Sequence, residues 1–345
     1  MPYLHEPEAL ADLVGDGPSY RVDQLRGWLY GTPVLDPAEM TNLPRELRER
    51  LDPLWPFEIE MEQTADGGAT RKWLFRAGDG AAFEAVLMGY PRRVTLCISS
   101  QAGCALGCTF CATGQFGFER HLQAGEIVAQ VAYAKAFLRR HGLPNSPNRL
   151  TNVVFMGMGE PLANYDRVRE AIRRMVEVMG MSARSITVST VGMIPGIRRL
   201  TEEPWPVSLA VSLHAADDEL RTSLVPINRR YPIEDLVQAA RHYYEKKGRR
   251  VSIEWTMMDG VNDTDDQAVK LASVARRLRA HVNLIALNPT PLSAERASTE
   301  PAIERFARLL GDLGVNVTVR DTRGKDIDAA CGQLRIRSGQ RRSTS

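Results

Sequence analysis

The sequence predicts an α/β protein: a partial (βα)6 TIM-like barrel preceded by a small N-terminal helical domain and an antiparallel β meander. Three observations predict it. Six short apolar runs rich in β-branched residues alternate with amphipathic stretches from residue 94 onward, the pattern of parallel strands covered by helices. Between Glu58 and Met88 the hydrophobic period is two, interrupted by turn signals at Asp66-Gly67-Gly68 and Asp79-Gly80, as in a meander. Residues 6–53 carry helical spacing instead.

Taken in order, Val22, Leu25, Trp28 and Leu29 fall on one helical face. Asp36 before Pro37 offers a helix start, and Thr41 to Leu51 reads as another helical piece. Trp28 and Tyr30 read as core residues in preference to base-stacking platforms. The meander strands are EIEMEQ, RKWLF and FEAVLM. The six barrel strands are VTLCIS (94–99), NVVFMG (152–157), SITVST (185–190), VSLAVSL (207–213), VSIEWTM (251–257) and VNLIAL (282–287). Between them Ile127, Val131, Ala134 and Leu138 share one helical face, and Leu271, Ala272, Ala275 and Leu278 another, with Thr264 and Gln267 spaced as a capping box. Six units do not fill a closed eight-stranded barrel, so the sheet is expected to stay open. The expected domains are 1–56 helical, 57–92 meander, 93–324 barrel and 325–345 a C-terminal segment ending in the basic RIRSGQRRSTS.

The 345 residues, 25% charged and 43% hydrophobic with net charge +2, suit a soluble chain with a large core. That balance neither requires nor excludes a nucleic-acid partner. No run of about 18 apolar residues and no basic-then-apolar leader occurs, so no membrane partner and a cytoplasmic location are expected.

Three of the five cysteines fall in CALGCTFC: Cys104, Cys108 and Cys111, a CxxxCxxC array. Three thiolates so spaced can hold three irons of a [4Fe-4S] cube and leave the fourth free for a small molecule. Buried unligated cysteines, or a zinc site completed by His121, are the competing readings. The array follows the first barrel strand, at the strand ends where barrel ligands gather. GMGEP (157–161) ends the second strand. Gly159 lets a ligand approach the backbone, and Glu160 can pair with the ammonium of a bound amino acid.

CxxxCxxC with an aromatic residue, Phe110, before the third cysteine resembles the signature of radical S-adenosylmethionine (SAM) enzymes. The wider text VTLCISSQAGCALGCTFCATGQFGFERHL, then FMGMGEPLANYD, VSTVGM, AVSLHA, ALNPTP and DIDAACGQLR, resembles the RlmN family of adenine-C2 methyltransferases of 23S rRNA and tRNA. The likeness runs from about Tyr20 to about Arg337; His121 departs from an Asn frequent in the family, outside the motifs. The resemblance implies a [4Fe-4S] cluster on Cys104, Cys108 and Cys111. It implies SAM contacts from Gly159, Glu160, Ser189, Ser212, Leu213, His214 and Asn288, although Thr190 stands beside Ser189. It makes the N-terminal domain an RNA-binding accessory.

The same resemblance gives the two remaining cysteines, Cys97 and Cys331, a mechanism. Cys331 is methylated by one SAM, and a radical made from a second SAM takes hydrogen from that methyl group. The resulting carbon radical adds to adenine C2. A base, Glu84, removes the C2 proton, and Cys97 attacks Cys331 to release methylated RNA and leave a Cys97–Cys331 disulfide. A solvent-facing Glu84 and bystander cysteines are the plain alternatives. Arg323 and Lys325 are expected near RNA phosphates, and a flavodoxin or ferredoxin as electron donor. The alternatives in function are a carbon-8 adenosine methylase of 23S rRNA, a zinc-stabilised RNA-binding module, and a radical activase acting on protein.

Overall fold

The computed structural model of the protein describes residues 1–288, 290, 293–321, 323–329 and 332–334. Its N-terminal part carries α1 (Leu10–Val14), α2 (Tyr20–Arg26), which runs on through a wider turn at Gly27–Gly31, and α3 (Arg45–Arg50). The helix expected over Thr41 to Leu51 begins only at Arg45, because a residue preceding proline, here Leu43 before Pro44, is pushed out of the helical region. The start expected at Asp36 gives one 3-10 turn, Pro37–Glu39, closed by a capping box between Asp36 and Glu39.

Tyr30 is fully buried. Trp28 is half-buried, and its indole N–H donates to Asn42 Oδ1 at 2.6 Å. Tyr3 and Trp55 of the N-terminal part join Phe57, Trp73, Phe75, Phe83 and Tyr133 in one aromatic core, with centroid separations from 4.1 Å for Phe57–Phe75 to 6.3 Å for Phe57–Tyr133. Offset and edge-on pairs of this kind add to the burial of large rings. The N-terminal part is thereby packed onto the sheet.

The meander strands β1 (Phe57–Ala65), β2 (Thr70–Ala77) and β3 (Ala82–Tyr90) are antiparallel, and β3 pairs antiparallel with β4 (Arg93–Cys97). A side hairpin, β5 (Gln101–Gly103) with β6 (Phe118–His121), stands off the main sheet. From β4 the main sheet continues in parallel through β7 (Asn152–Phe155), β8 (Ile186–Thr190), β9 (Ser208–Ser212), β10 (Ser252–Met257), β11 (His281–Ala286) and β12 (Asn316–Val319). Meander and barrel are thus one ten-stranded sheet, with β1 and β12 as its edges.

The helices that follow α3 are α4 (Ala112–Gln115), α5 (Ala124–His141), α6 (Tyr165–Arg173), α7 (Ile194–Glu202), α8 (Asp218–Leu224), α9 (Ile233–Lys247), α10 (Asp265–Leu278) and α11 (Glu300–Asp312). All six expected barrel strands form. β12 is a seventh parallel strand beyond them; its side chains are mostly exposed at the sheet edge, so it lacks the apolar run that marks a strand covered on both faces. Thr264 Oγ1 accepts the Gln267 N–H, but the Gln267 side chain does not close the box: it accepts the Ala216 N–H at 3.0 Å and donates to Asp217. Among the described residues no helix is long and apolar enough to cross a membrane.

Candidate active site

The thiol loop leaves the sheet just after β4 and is framed from several sides. Cys104 N–H donates to Gly117 O at 2.8 Å beside the β5–β6 hairpin, and Thr109 N–H donates to Leu224 O at 3.1 Å at the end of α8. Cys108 and Phe110 are buried in a small apolar cluster with Ala215, Leu224, Met258 and Leu287. Burial pushes the Cys104 thiol up to about 12, while backbone groups of Leu106 and Glu160 pull the other way. Burial also pushes the Cys108 thiol up, and Cys111 and Cys104 raise it further. The three sulfurs therefore lie close enough to act on one another.

This donor set fits an iron–sulfur cube, which supplies the positive charge that buried thiolates need and displaces their protons. Among the described residues no three His, Cys, Asp or Glu side chains converge on one point as a single ion requires, whereas a cube takes one thiolate at each of three corners. His121, at the end of β6, has Nδ1 3.0 Å from Gln101 Nε2.

The ends of β7 to β11 frame a cavity that takes in Gly159, Glu160, Ser189, Ser212, His214 and Phe110, an apolar lining with a few convergent polar groups, as in small-molecule sites. Gly159 has φ +93°, and a Cβ there would fall 2.4 Å from the Gln101 side chain, so the close turn of GMGEP requires glycine. Glu160 is 4% exposed. Its Oε1 accepts the Leu162 N–H and its Oε2 the Val191 N–H, each at 3.0 Å. Burial nevertheless pushes its carboxyl up to about 7, and a ligand cation in the cavity would favour the ionised form.

Ser189 Oγ and Ser212 Oγ are 3.3 Å apart. His214 sits in the left-handed region at φ +60°; its Nδ1 accepts the Thr256 N–H at 3.1 Å and its ring meets Phe110 edge-on at 4.7 Å. Burial, with the charge of Arg221, holds its pKa down at about 3, so the imidazole is neutral. Leu213 packs its side chain in the core and Asn288 is buried one residue beyond the wall residue Leu287; neither side chain lines the cavity.

A second cavity is lined by Cys97 with Met88, Thr95, Arg320, Arg323, Ala329 and Leu334. It shares Met156 and Ile285 with the first. Arg323 pairs with Asp321 at 3.1 Å and stacks over Tyr90. Cys331 lies outside the described residues, as does the side chain of Lys325. On either side of Cys331, Ala329 and Leu334 line the Cys97 cavity and Gly332 the strand-end cavity. Gly332 O accepts the Ala112 N–H at 2.8 Å and Leu334 O the Thr113 hydroxyl at 2.7 Å, tying this segment to the helix that follows Cys111.

Glu84 is 3% exposed and 3.1 Å from Lys72 Nζ; it is not on a solvent face.

Four residues beyond the sequence reading shape the site. Gln101 Oε1 accepts the Glu160 N–H at 2.8 Å. Glu254 lines the strand-end cavity with Oε1 held by Asn283 and Ser252, while its Oε2 is buried with no partner among the described residues. Arg221 is fully buried and donates to Leu213 O, Asn228 Oδ1 and Val191 O, fixing the strand ends on which Ser212 and His214 sit. Lys72 is the fourth. Only Gln101 stands in a legible motif; Lys72 and Arg221 sit beside other charges, and Glu254 is one charge in an apolar run.

Arg221→Met should lower stability by roughly 3–5 kcal/mol, because it strands three buried acceptors, seen as a fall in unfolding midpoint. A change within error would show that those acceptors find other donors.

Known proteins resemble the chain along nearly its whole length. The model of the Radical SAM superfamily matches residues 98–272. A probable dual-specificity RNA methyltransferase RlmN of Salinispora tropica is 51% identical over 93% of this chain and 88% of its own, and its counterpart in Mycolicibacterium paratuberculosis is 49% identical over 96% of each. The crystal structure of a radical SAM methyltransferase from Sphaerobacter thermophilus, 48% identical, superposes with a TM-score of 0.91 over 96% of this chain and 98% of that one.

Proposed function

The chain belongs to the radical SAM superfamily and, within it, to the RlmN family of RNA methyltransferases, and from that membership we propose that it methylates carbon 2 of adenosine in 23S rRNA and in tRNA through a methyl group carried on Cys331. Family membership sets aside a catalytically silent zinc-stabilised module.

Cys104, Cys108 and Cys111 would hold the [4Fe-4S] cluster of this superfamily, and Gly159, Glu160, Ser189, Ser212 and His214 would hold SAM from the cavity wall; Leu213 and Asn288, whose side chains lie off that wall, are assigned to SAM by family likeness alone. Bound there, the two supply methyl groups and a one-electron route to a carbon radical, which suits adenine C2, a carbon too electron-poor to attack a methyl donor as a nucleophile. The chain's own residues then act on the RNA. With the new carbon bridging C2 and the Cys331 sulfur, the Glu84 carboxylate takes the C2 proton, and the adduct's one unpaired electron would go back to the one-electron route that supplied it, leaving a closed-shell thioether. The Cys97 thiolate attacks the Cys331 sulfur: a sulfur–sulfur bond forms, the carbon–sulfur bond breaks, and its electron pair stays with carbon, which takes up a proton to become the methyl group. The disulfide is returned to two thiols by an external reductant before the next turnover.

One observation carries this reading. Cys97 lines a cavity with residues that bracket Cys331, and that cavity adjoins the strand-end cavity through Met156 and Ile285, which brings a resolving thiol and the methyl-carrying segment to one side of the barrel. Arg320 and Arg323 in the same wall suit an RNA phosphate. A flavodoxin or ferredoxin would supply electrons.

Glu160→Ala should weaken SAM binding while iron content stays the same, since a charge-assisted contact to the ligand's ammonium contributes roughly 1.5 to 3 kcal/mol. Equilibrium dialysis on the reconstituted protein measures it, and unchanged affinity would remove GMGEP from the cofactor site. The reading as a whole is tested by incubating the reconstituted enzyme with methyl-labelled SAM and with 23S rRNA or tRNA transcripts. Label should enter both; label in neither would overturn the proposal.

A further inference from the structure

We propose that Lys72 is a positioning residue that fixes the segment carrying Cys331 against the strand bearing Glu84, an inference that rests on the roles given above to Cys331 and Glu84. Lys72 lies on β2 with its side chain 6% exposed. Its Nζ is 3.1 Å from Glu84 Oε1, and it donates to Asp328 O at 3.2 Å. Asp328 stands three residues before Cys331.

The sheet register places this contact in the row of the resolving thiol. Lys72 pairs with Val86 across β2–β3, and Val86 pairs with Cys97 across β3–β4. Directly paired residues share a sheet face, and so do residues two apart on one strand. Lys72, Glu84 and Cys97 are therefore on the same face. Onto that face the chain returns after β12, the far edge of the sheet. Gly324 N–H donates to Asp66 Oδ2 at 3.1 Å, in the turn between β1 and β2. Gly324 has φ +67°, and a Cβ there would lie 2.7 Å from Ala329 Cβ, so residues 324–329 form a tight turn seated on the meander.

A buried ammonium is tolerated when its donors are paired. Two of the three Lys72 N–H donors meet that condition, one with an acceptor from the proposed base and one with the backbone of the proposed methyl-carrying segment. Its placement sets the two relative to each other.

The test uses the full-length reconstituted protein. Lys72→Met keeps the length of the side chain and removes the donors. Backbone amides of residues 324–329 should then exchange hydrogen about tenfold faster or more, and the first-turnover ratio of covalent protein–RNA adduct to released product should rise by a similar factor, the scale of one lost charge-assisted hydrogen bond. Lys72→Arg should restore part of both, and Lys72→Gln supplies the same readouts if Lys72→Met does not fold. Unchanged exchange at 324–329, or a uniform loss of every step in proportion to lost stability, would overturn the proposal. If Cys97→Ala traps no adduct, the proposed reaction is what fails, and the exchange measurement still decides the tie to Asp328.

Discussion

Replacing Cys97 with alanine is expected to leave the protein covalently joined to its RNA. Cys97 is buried on β4 and lines a cavity whose wall includes Ala329 and Leu334, which flank Cys331 in the sequence. Without it, methylation of Cys331, carbon–carbon bond formation and proton loss still run, but nothing breaks the carbon–sulfur bond. The product should be a band that survives denaturation and disappears with nuclease. Cys331→Ala should behave oppositely: no methyl transfer and no adduct, with SAM binding retained. Packing residues would give neither pattern; both variants would then lose activity in proportion to lost stability, roughly the 1–3 kcal/mol of a small buried side chain. An adduct in Cys331→Ala and none in Cys97→Ala would mean that the two roles are reversed.

The second large effect is expected at the thiol loop. Any one of Cys104→Ala, Cys108→Ala or Cys111→Ala should abolish cluster binding and all SAM cleavage, because in the proposed assignment each thiolate would hold one iron and two would not retain the cube. The colour of anaerobically reconstituted protein, its iron and sulfide content and 5′-deoxyadenosine formation measure this together. A full cluster and normal cleavage in two of the three variants would contradict the assignment. Cys108 is the most informative of the three, since its side chain is packed with Phe110 and Leu287; folding should be checked by the unfolding midpoint alongside iron content.

Much of the barrel was legible because its strands are covered on both faces and so read as continuous apolar runs. β12 and the β5–β6 hairpin escaped because each strand is only three to four residues long, too short for a period to show. Helix limits shifted where proline intervened, as at Pro44. In the site, the thiol array and GMGEP are local in sequence and could be read directly. Lys72, Arg221 and Glu254 could not: Lys72 follows Arg71 and Arg221 follows Asp217, Asp218 and Glu219, as in a solvated face, and Glu254 is one charge in an apolar run. Their partners are also distant: Lys72 meets a carbonyl 256 residues away. Glu84 was ambiguous between base and solvent face until burial and Lys72 resolved its surroundings.

The most direct measurement of the central claim is mass spectrometry of nucleosides digested from RNA treated with the reconstituted enzyme, SAM and a reductant. The expected product is 2-methyladenosine, formed with both 23S rRNA and tRNA and absent when Cys331 is replaced. 8-Methyladenosine in its place, or adenosine left unmodified under conditions where SAM is cleaved, would contradict the claim.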